Sequence, residues 1–313
     1  MIAMNWDDRI GRRLRLKDLH TLQMVAQAGS MAKASQHLAL SQPAISKAIA
    51  DMEHMLGAPL LDRSARGVAL TEHGRVLVER TRIIFDEVKQ GIKEIEHLSD
   101  PAQGEVRIGT IEPVSAVLSG IICRITQRYP RISYHVTVGD TDMLVRMLRE
   151  RALDVVLTRW HALTQADDLA AETLYRSTLA VMADKDHPLV ARRRLALPDL
   201  MGEQWTLSPP DTFLGRVVAD LFERRKLPLP RNTVTTTSIF MRLNLMAGSR
   251  FLSILPTTLL RHRSNKAWLR EIRADVGDSS GPIAAITVKN RRGSGAVKLF
   301  QDASRAFCKE FRS

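Results

Sequence analysis

The chain has 313 residues, 44% hydrophobic and 26% charged, a balance that excludes a disordered polypeptide and allows two or three folded domains. It holds no run of about 18 apolar residues and no N-terminal apolar signal segment, so a membrane span and export are not expected and a cytoplasmic, nucleoid-associated protein is. Net charge is +12, yet residues 1–103 carry 14 Lys and Arg against 13 Asp and Glu, so only locally placed cations can argue for nucleic acid there.

In chain order, Leu16 to Ala28 puts Leu19, Leu22, Val25 and Ala26 on one helical face, with Gly29 as its end. Ser30 caps a second, two-turn helix over Met31–Leu38. A third begins at Ser41, the expected N-cap, with Pro43 in the first turn, where a missing N–H costs nothing. In that helix Ile45, Ile49, Met52 and Leu56 form one apolar stripe, while Ser41, Gln42, Ser46 and Lys47 stay off it as a polar ridge. Two short helices joined by a tight turn make a helix-turn-helix. The apolar runs around Leu60-Leu61 and Val68–Leu70, separated by the polar stretch from Arg63, predict a two-stranded wing that ends the domain over residues 16–71.

Residues 72–98 read as one long helix with Thr71 as its N-cap. Leu77, Ile84, Val88, Ile95 and Leu98 follow a seven-residue repeat, weakened at Thr81 and Gly91. Such a seam serves either as a core helix of a larger domain or, as expected here, as a dimerisation helix. SDPAQG is a short linker after it. From residue 104 to 313 strands and helices alternate, as in Glu105–Gly109, Pro113–Tyr129, Ile132–Val138, Met143–Arg151 and Leu153–Thr158. A second run covers Trp205–Leu207, Phe213–Lys226, Val234–Thr236, Ile239–Ala247 and Phe251–Leu255. This order predicts a parallel sheet with helices on both faces, in two subdomains at about 104–181 with 283–313 and about 182–282.

The stretch AGSMAKASQHLALSQPAISKAIADMEHMLGAPLLDRSARGVALTEHG resembles the N-terminal signature of LysR-type transcriptional regulators, and the likeness runs over about residues 16–310. VRIGTIEP and its surroundings are similar to the galactose-binding-protein regulator-like subgroup. The resemblance implies a winged helix-turn-helix, a dimerising linker helix and a C-terminal α/β effector domain of the type 2 periplasmic-binding-protein fold. It also implies double-stranded promoter DNA, a small-molecule effector and a second copy of the chain as partners, in a dimer or tetramer. The chain departs from the family pattern at its start. There, either Met4 initiates or the cluster Arg12, Arg13 and Arg15 reaches along DNA.

Carried over position by position, the resemblance places Ser41 and Gln42 at the major groove, where Gln42 can read adenine in bidentate fashion and Pro43 and Ala44 can touch thymine methyls. Ser46 and Lys47 reach phosphates or base edges, Ser30 and Lys33 the backbone, and Arg63 and Arg66 the flanking minor groove or phosphate. The expected effector pocket lies where strands end and helices begin: Thr110, Ile111, Glu112, Ser115, Thr158, Arg159, Ser208, Thr237, Ser238 and Gly248. Its hydroxyls and Glu112 favour a monosaccharide or related polar effector; a small aromatic or organic acid is the alternative. Trp160 is read as core rather than as a sugar-stacking face.

An enzyme is not expected. GxSxG, HExxH, P-loop and GxGxxG patterns are missing from the sequence, and His161, His187 and His262 are scattered. Cys123 and Cys308 have no metal-ligand spacing, so no metal, cofactor or disulfide is expected. An exported solute-binding protein is disfavoured by the N-terminal helix-turn-helix, and a ligand-independent architectural DNA binder is the remote alternative. The basic clusters Arg192–Arg194, Arg224–Lys226, Arg261 with Arg263, and Arg291-Arg292 read as solvated surface, the alternative being contact with wrapped DNA or with an acidic surface of RNA polymerase.

Overall fold

The computed structural model describes residues 13–64, 67–100, 103–160, 166–231, 233–276 and 281–311. Met4, Arg12, Arg66 and His161 lie outside the described residues. The chain divides into two compact units, 1–92 and 93–313.

In the first unit, α1 (Leu16–Ala28), α2 (Met31–Leu38) and α3 (Gln42–Leu56) follow one another through tight turns. The sequence supplies their ends locally. Ser30 accepts the Lys33 N–H at 3.5 Å, Ser41 accepts the Ala44 N–H at 3.3 Å, and Ala39 turns the chain in the left-handed region at φ 50°. Leu22, Val25, Ala34, Ile45, Ile49 and Met52 form the core between the three helices. Strands β1 (Leu61–Ser64) and β2 (Gly67–Leu70) pair antiparallel as the wing. Glu53 of α3 fastens its base by accepting from the N–H groups of Leu60 at 2.8 Å and Leu61 at 3.1 Å.

Helix α4 (Glu72–Ser99) is capped by Thr71, whose hydroxyl accepts the Gly74 N–H at 3.0 Å and donates to the Pro59 carbonyl at 2.6 Å. Leu77 packs on the winged-helix core, whereas Ile84, Val88, Ile95 and Leu98 are exposed. Val76 and Ile92 are exposed apolar residues on the same helix that the heptad reading passes over.

The second unit carries two five-stranded sheets. The first has strand order β4-β3-β5-β12-β6, built from β3 (Gln103–Thr110), β4 (Arg131–Val138), β5 (Val155–Arg159), β6 (Leu169–Ser177) and β12 (Gly281–Val288). Helices α5 (Glu112–Arg128), α6 (Thr141–Arg149) and α10 (Gly295–Cys308) pack against it. The second has order β11-β7-β10-β8-β9, from β7 (Leu179–Asp184), β8 (Gln204–Leu207), β9 (Thr233–Thr235), β10 (Phe251–Pro256) and β11 (Leu269–Ile272). It carries α7 (Phe213–Arg224), α8 (Ile239–Met246) and α9 (Thr258–Arg261).

The expectation of a parallel sheet needs correction. β3 pairs parallel with β4 and β5, and β8 with β9 and β10, but β12 is antiparallel to β5 and β6, and β7 to β10 and β11. The chain leaves the first lobe along β6, continues through Thr178 into β7 of the second, and returns as β12. Strands that arrive from the other lobe run against those wound within it. The outward crossing falls at Thr178.

Candidate functional site

Two places in this fold concentrate groups that the fold itself does not consume. The first is the N-terminal tip of α3. The buried stripe Ile45, Ile49 and Met52 leaves Ser41, Gln42, Pro43, Ala44 and Lys47 exposed, and Ser46 half-buried. A helix start that presents short side chains and the positive end of the helix dipole suits close approach to phosphate and to base edges. Ser30 and Lys33 begin α2, where Lys33 is exposed. Arg63 lies on the wing strand β1, and Arg66 is outside the described residues.

The second place is a cavity of about 440 Å³ between the two sheets of the second unit, within the range of about 300–1,000 Å³ usual for small-ligand sites. Its apolar walls include Ile111, Val114, Val138, Phe213, Ile239 and Ile283. Its charged groups are Glu112, Asp140, Arg159 and Arg242. Both carboxylates are engaged as helix caps. Asp140 accepts the Met143 N–H of α6 at 2.8 Å. Glu112, the first residue of α5, reaches across to the other lobe, where its Oε1 accepts the Ile239 N–H at 2.6 Å, the Phe240 N–H at 3.3 Å and the Ser238 hydroxyl at 3.5 Å.

The two guanidinium groups are treated differently. Arg242, on α8, is 0% exposed, and only its Nη1 finds a donor's role, toward Ser253 Oγ at 3.5 Å; Nε and Nη2 have no hydrogen-bond partner. Burial lowers its pKa to about 10, partly offset by the nearby Glu112 charge, so it stays protonated at neutral pH. Arg159, at the end of β5, is 9% exposed and stacks on the Phe213 ring with its carbon 5.2 Å from the centroid. Burial lowers its pKa as well. Space for this guanidinium comes from Gly281, where a Cβ would stand 2.0 Å from Arg159 Nη1. Two buried cations facing one cavity, neither ion-paired to a carboxylate by contact, are costly unless an anion joins them.

Residues 16–75 match the model of the bacterial regulatory helix-turn-helix protein, lysR family, and residues 99–309 match the LysR substrate binding domain. The chain belongs to the LysR family. It is a DNA-binding transcriptional regulator of that type. Curated relatives include the HTH-type transcriptional regulator GbpR of Rhizobium radiobacter, 27% identical over 237 residues covering 75% of this chain and 78% of the relative. Another is TdcA of Escherichia coli (strain K12), 29% identical over 245 residues, or 77% of each chain. The LysR fold recurs in full-length OxyR C199D from Pseudomonas aeruginosa, with TM-score 0.64, 18% identity and coverage of 94% of this chain and 95% of that one. It recurs too in full-length CbnR complexed with its target DNA, with TM-score 0.53, 21% identity and coverage of 94% and 100%. Among the described residues no helix is long and apolar enough to cross a membrane, and no group of three or more His, Cys, Asp or Glu could hold a metal ion.

Of the effector positions expected for this LysR chain, Ile111, Glu112, Arg159, Ser208 and Thr237 line the cavity, and Ser238 adjoins it through Glu112. The other four lie elsewhere. Thr110 is buried with its hydroxyl on the Leu157 carbonyl at 3.2 Å, and Thr158 is buried against the Thr141 hydroxyl at 2.8 Å. Ser115 turns back to the Ile111 carbonyl at 3.4 Å, and Gly248 donates to Asp184 at 2.8 Å. Trp160 packs on the core of the first lobe. Arg242, Thr141, Thr212 and Phe213 were not singled out in the sequence but line the cavity. The available signal was Arg242 itself, a lone cation inside the apolar helix IFMRLNLM.

Proposed function

We infer that this LysR-type regulator binds its operator as a dimer through the α3 tip and the wing, and that a small organic acid held in the interlobe cavity controls it. The observation that carries the acid is the pair Arg159 and Arg242: buried, charged, and facing a cavity whose own carboxylates cap helices. A carboxylate on an apolar or aromatic body matches both the cations and the hydrocarbon walls. Ser30, Lys33, Ser41, Gln42, Pro43, Ala44, Ser46, Lys47, Arg63 and Arg66 are the residues proposed to meet DNA. The exposed apolar stripe of α4 is proposed to join the two copies.

A monosaccharide is the second reading, supported by the hydroxyls of Ser208, Thr212 and Thr237 on the cavity wall and by the likeness of VRIGTIEP to the galactose-binding-protein regulator-like subgroup. One experiment separates them. Full-length protein is used to select fragments of the source genome, and binding to the recovered fragment is then measured with benzoate, succinate or galactose present. The acid reading expects a carboxylate to change the footprint or affinity, and Arg159→Met to abolish that change. A response to galactose alone ends the acid reading, and no preference for any genomic fragment over scrambled DNA ends the operator reading.

A further inference from the structure

Helices α5 and α8 come from different lobes, yet both N-termini converge on one carboxylate. Glu112 opens α5, where a negative charge already complements the helix dipole, and its Oε1 takes two N–H groups and a hydroxyl at the start of α8. Arg242 lies one turn into α8, fully buried, lining the same cavity with Nε and Nη2 unpartnered. The point where these elements meet is thus electropositive by construction, and the side chain that fills it is tethered to the opposite lobe.

We propose that the start of α8, with Ser238 and Arg242, is an anion seat that Glu112 occupies as a built-in stand-in, and that the effector's carboxylate displaces it. This deepens the acid reading above and rests on it. Two carboxylates cannot share the same two N–H donors, and like charges that close repel. Effector entry therefore breaks the Glu112 bridge between α5 and α8, which couples occupancy of the cavity to the relation of the two lobes. Glu112 also becomes a determinant of specificity. Acids that reach the seat must outcompete it, and neutral ligands have no means to do so.

The test is thermal unfolding of the full-length protein in sodium acetate against sodium chloride at matched ionic strength, followed by titration with benzoate and phthalate. Glu112→Ala empties the seat, so acetate should stabilise this variant and not the wild type, and the added substitution Arg242→Met should abolish the effect. Affinity for benzoate or phthalate should rise about tenfold in Glu112→Ala, within the usual span of coupling between two ligands. If Glu112→Ala does not fold, Glu112→Gln carries the test, because it keeps an oxygen on α8, removes the charge and should still bind the acids more tightly. Equal acetate responses in wild type and variant, or acid binding that is unchanged or weaker in both variants, would overturn the seat. If in that case Arg159→Met still abolishes benzoate binding, the acid reading survives the loss of this proposal. Absence of any carboxylate binding to wild type and variants removes both.

Discussion

At the scale of single residues, the division between buried stripe and exposed ridge on α3 has a direct consequence. Gln42 is exposed and fixed in position by a capped, proline-started helix, so Gln42→Ala should cost about 1–3 kcal/mol on the operator and little on random DNA. Lys47→Ala should instead weaken both and reduce the salt slope by about one unit. Competition binding at several salt concentrations measures both, and equal losses for Gln42→Ala on the two DNAs would count against base reading. Asp154 makes a different kind of prediction. Burial alone would raise its pKa, but hydrogen bonds from Arg107 at 2.7 and 3.2 Å and the charges of Arg107 and Arg291 outweigh that and hold it below the ordinary carboxylate range. A depressed folded pKa means full stabilisation above the unfolded value and loss as pH falls through the folded one. Asp154→Asn should therefore lose about 3–5 kcal/mol at neutral pH, since it takes from Arg107 and the buried Arg291 side chain the carboxylate charge they share, and show a shallower acid limb in denaturation curves taken from pH 7 down to 2.

At the scale of elements, helix ends were readable because capping is local. Ser30, Ser41 and Thr71 each bond an N–H three residues on, a relation visible in a short window. Strands were less legible. β7 is buried along all six residues, so no alternation marks it, and β6 mixes Glu172 and Arg176 with apolar neighbours. A Cβ on Gly74 would stand 2.0 Å from the Leu60 carbonyl oxygen and 3.0 Å from its carbon, both backbone atoms that cannot rotate away. Gly74→Ala should push α4 off the base of the wing and cost about 1–3 kcal/mol, read as a lower unfolding midpoint in urea. An unchanged midpoint would show that the contact yields freely.

For the whole molecule, α4 carries an apolar face that the chain by itself leaves uncovered: Ile84, Val88, Ile92, Ile95 and Leu98 are 38–83% exposed. Paired copies would bury it, and two linked tips bind an operator with the benefit of both half-sites. Ile84→Glu with Val88→Glu should halve the mass seen by sedimentation equilibrium and sharply weaken operator binding, with the fold retained because neither side chain belongs to a core. An unchanged mass would place the interface elsewhere.

The winged helix-turn-helix, the long helix after it and most helices of the α/β region can be read directly from the residues, because periodicity and caps act over a few residues. The chemistry of the cavity, by contrast, emerges from long-range packing. Glu112 and Ile239 are 127 residues apart and meet because the chain crosses between lobes and returns. That crossing turns Glu112 from an open acceptor for a polyol into the cap of α8. It also leaves Arg242, whose place in an apolar helix is visible locally, without a full set of partners, because those partners are set by long-range packing.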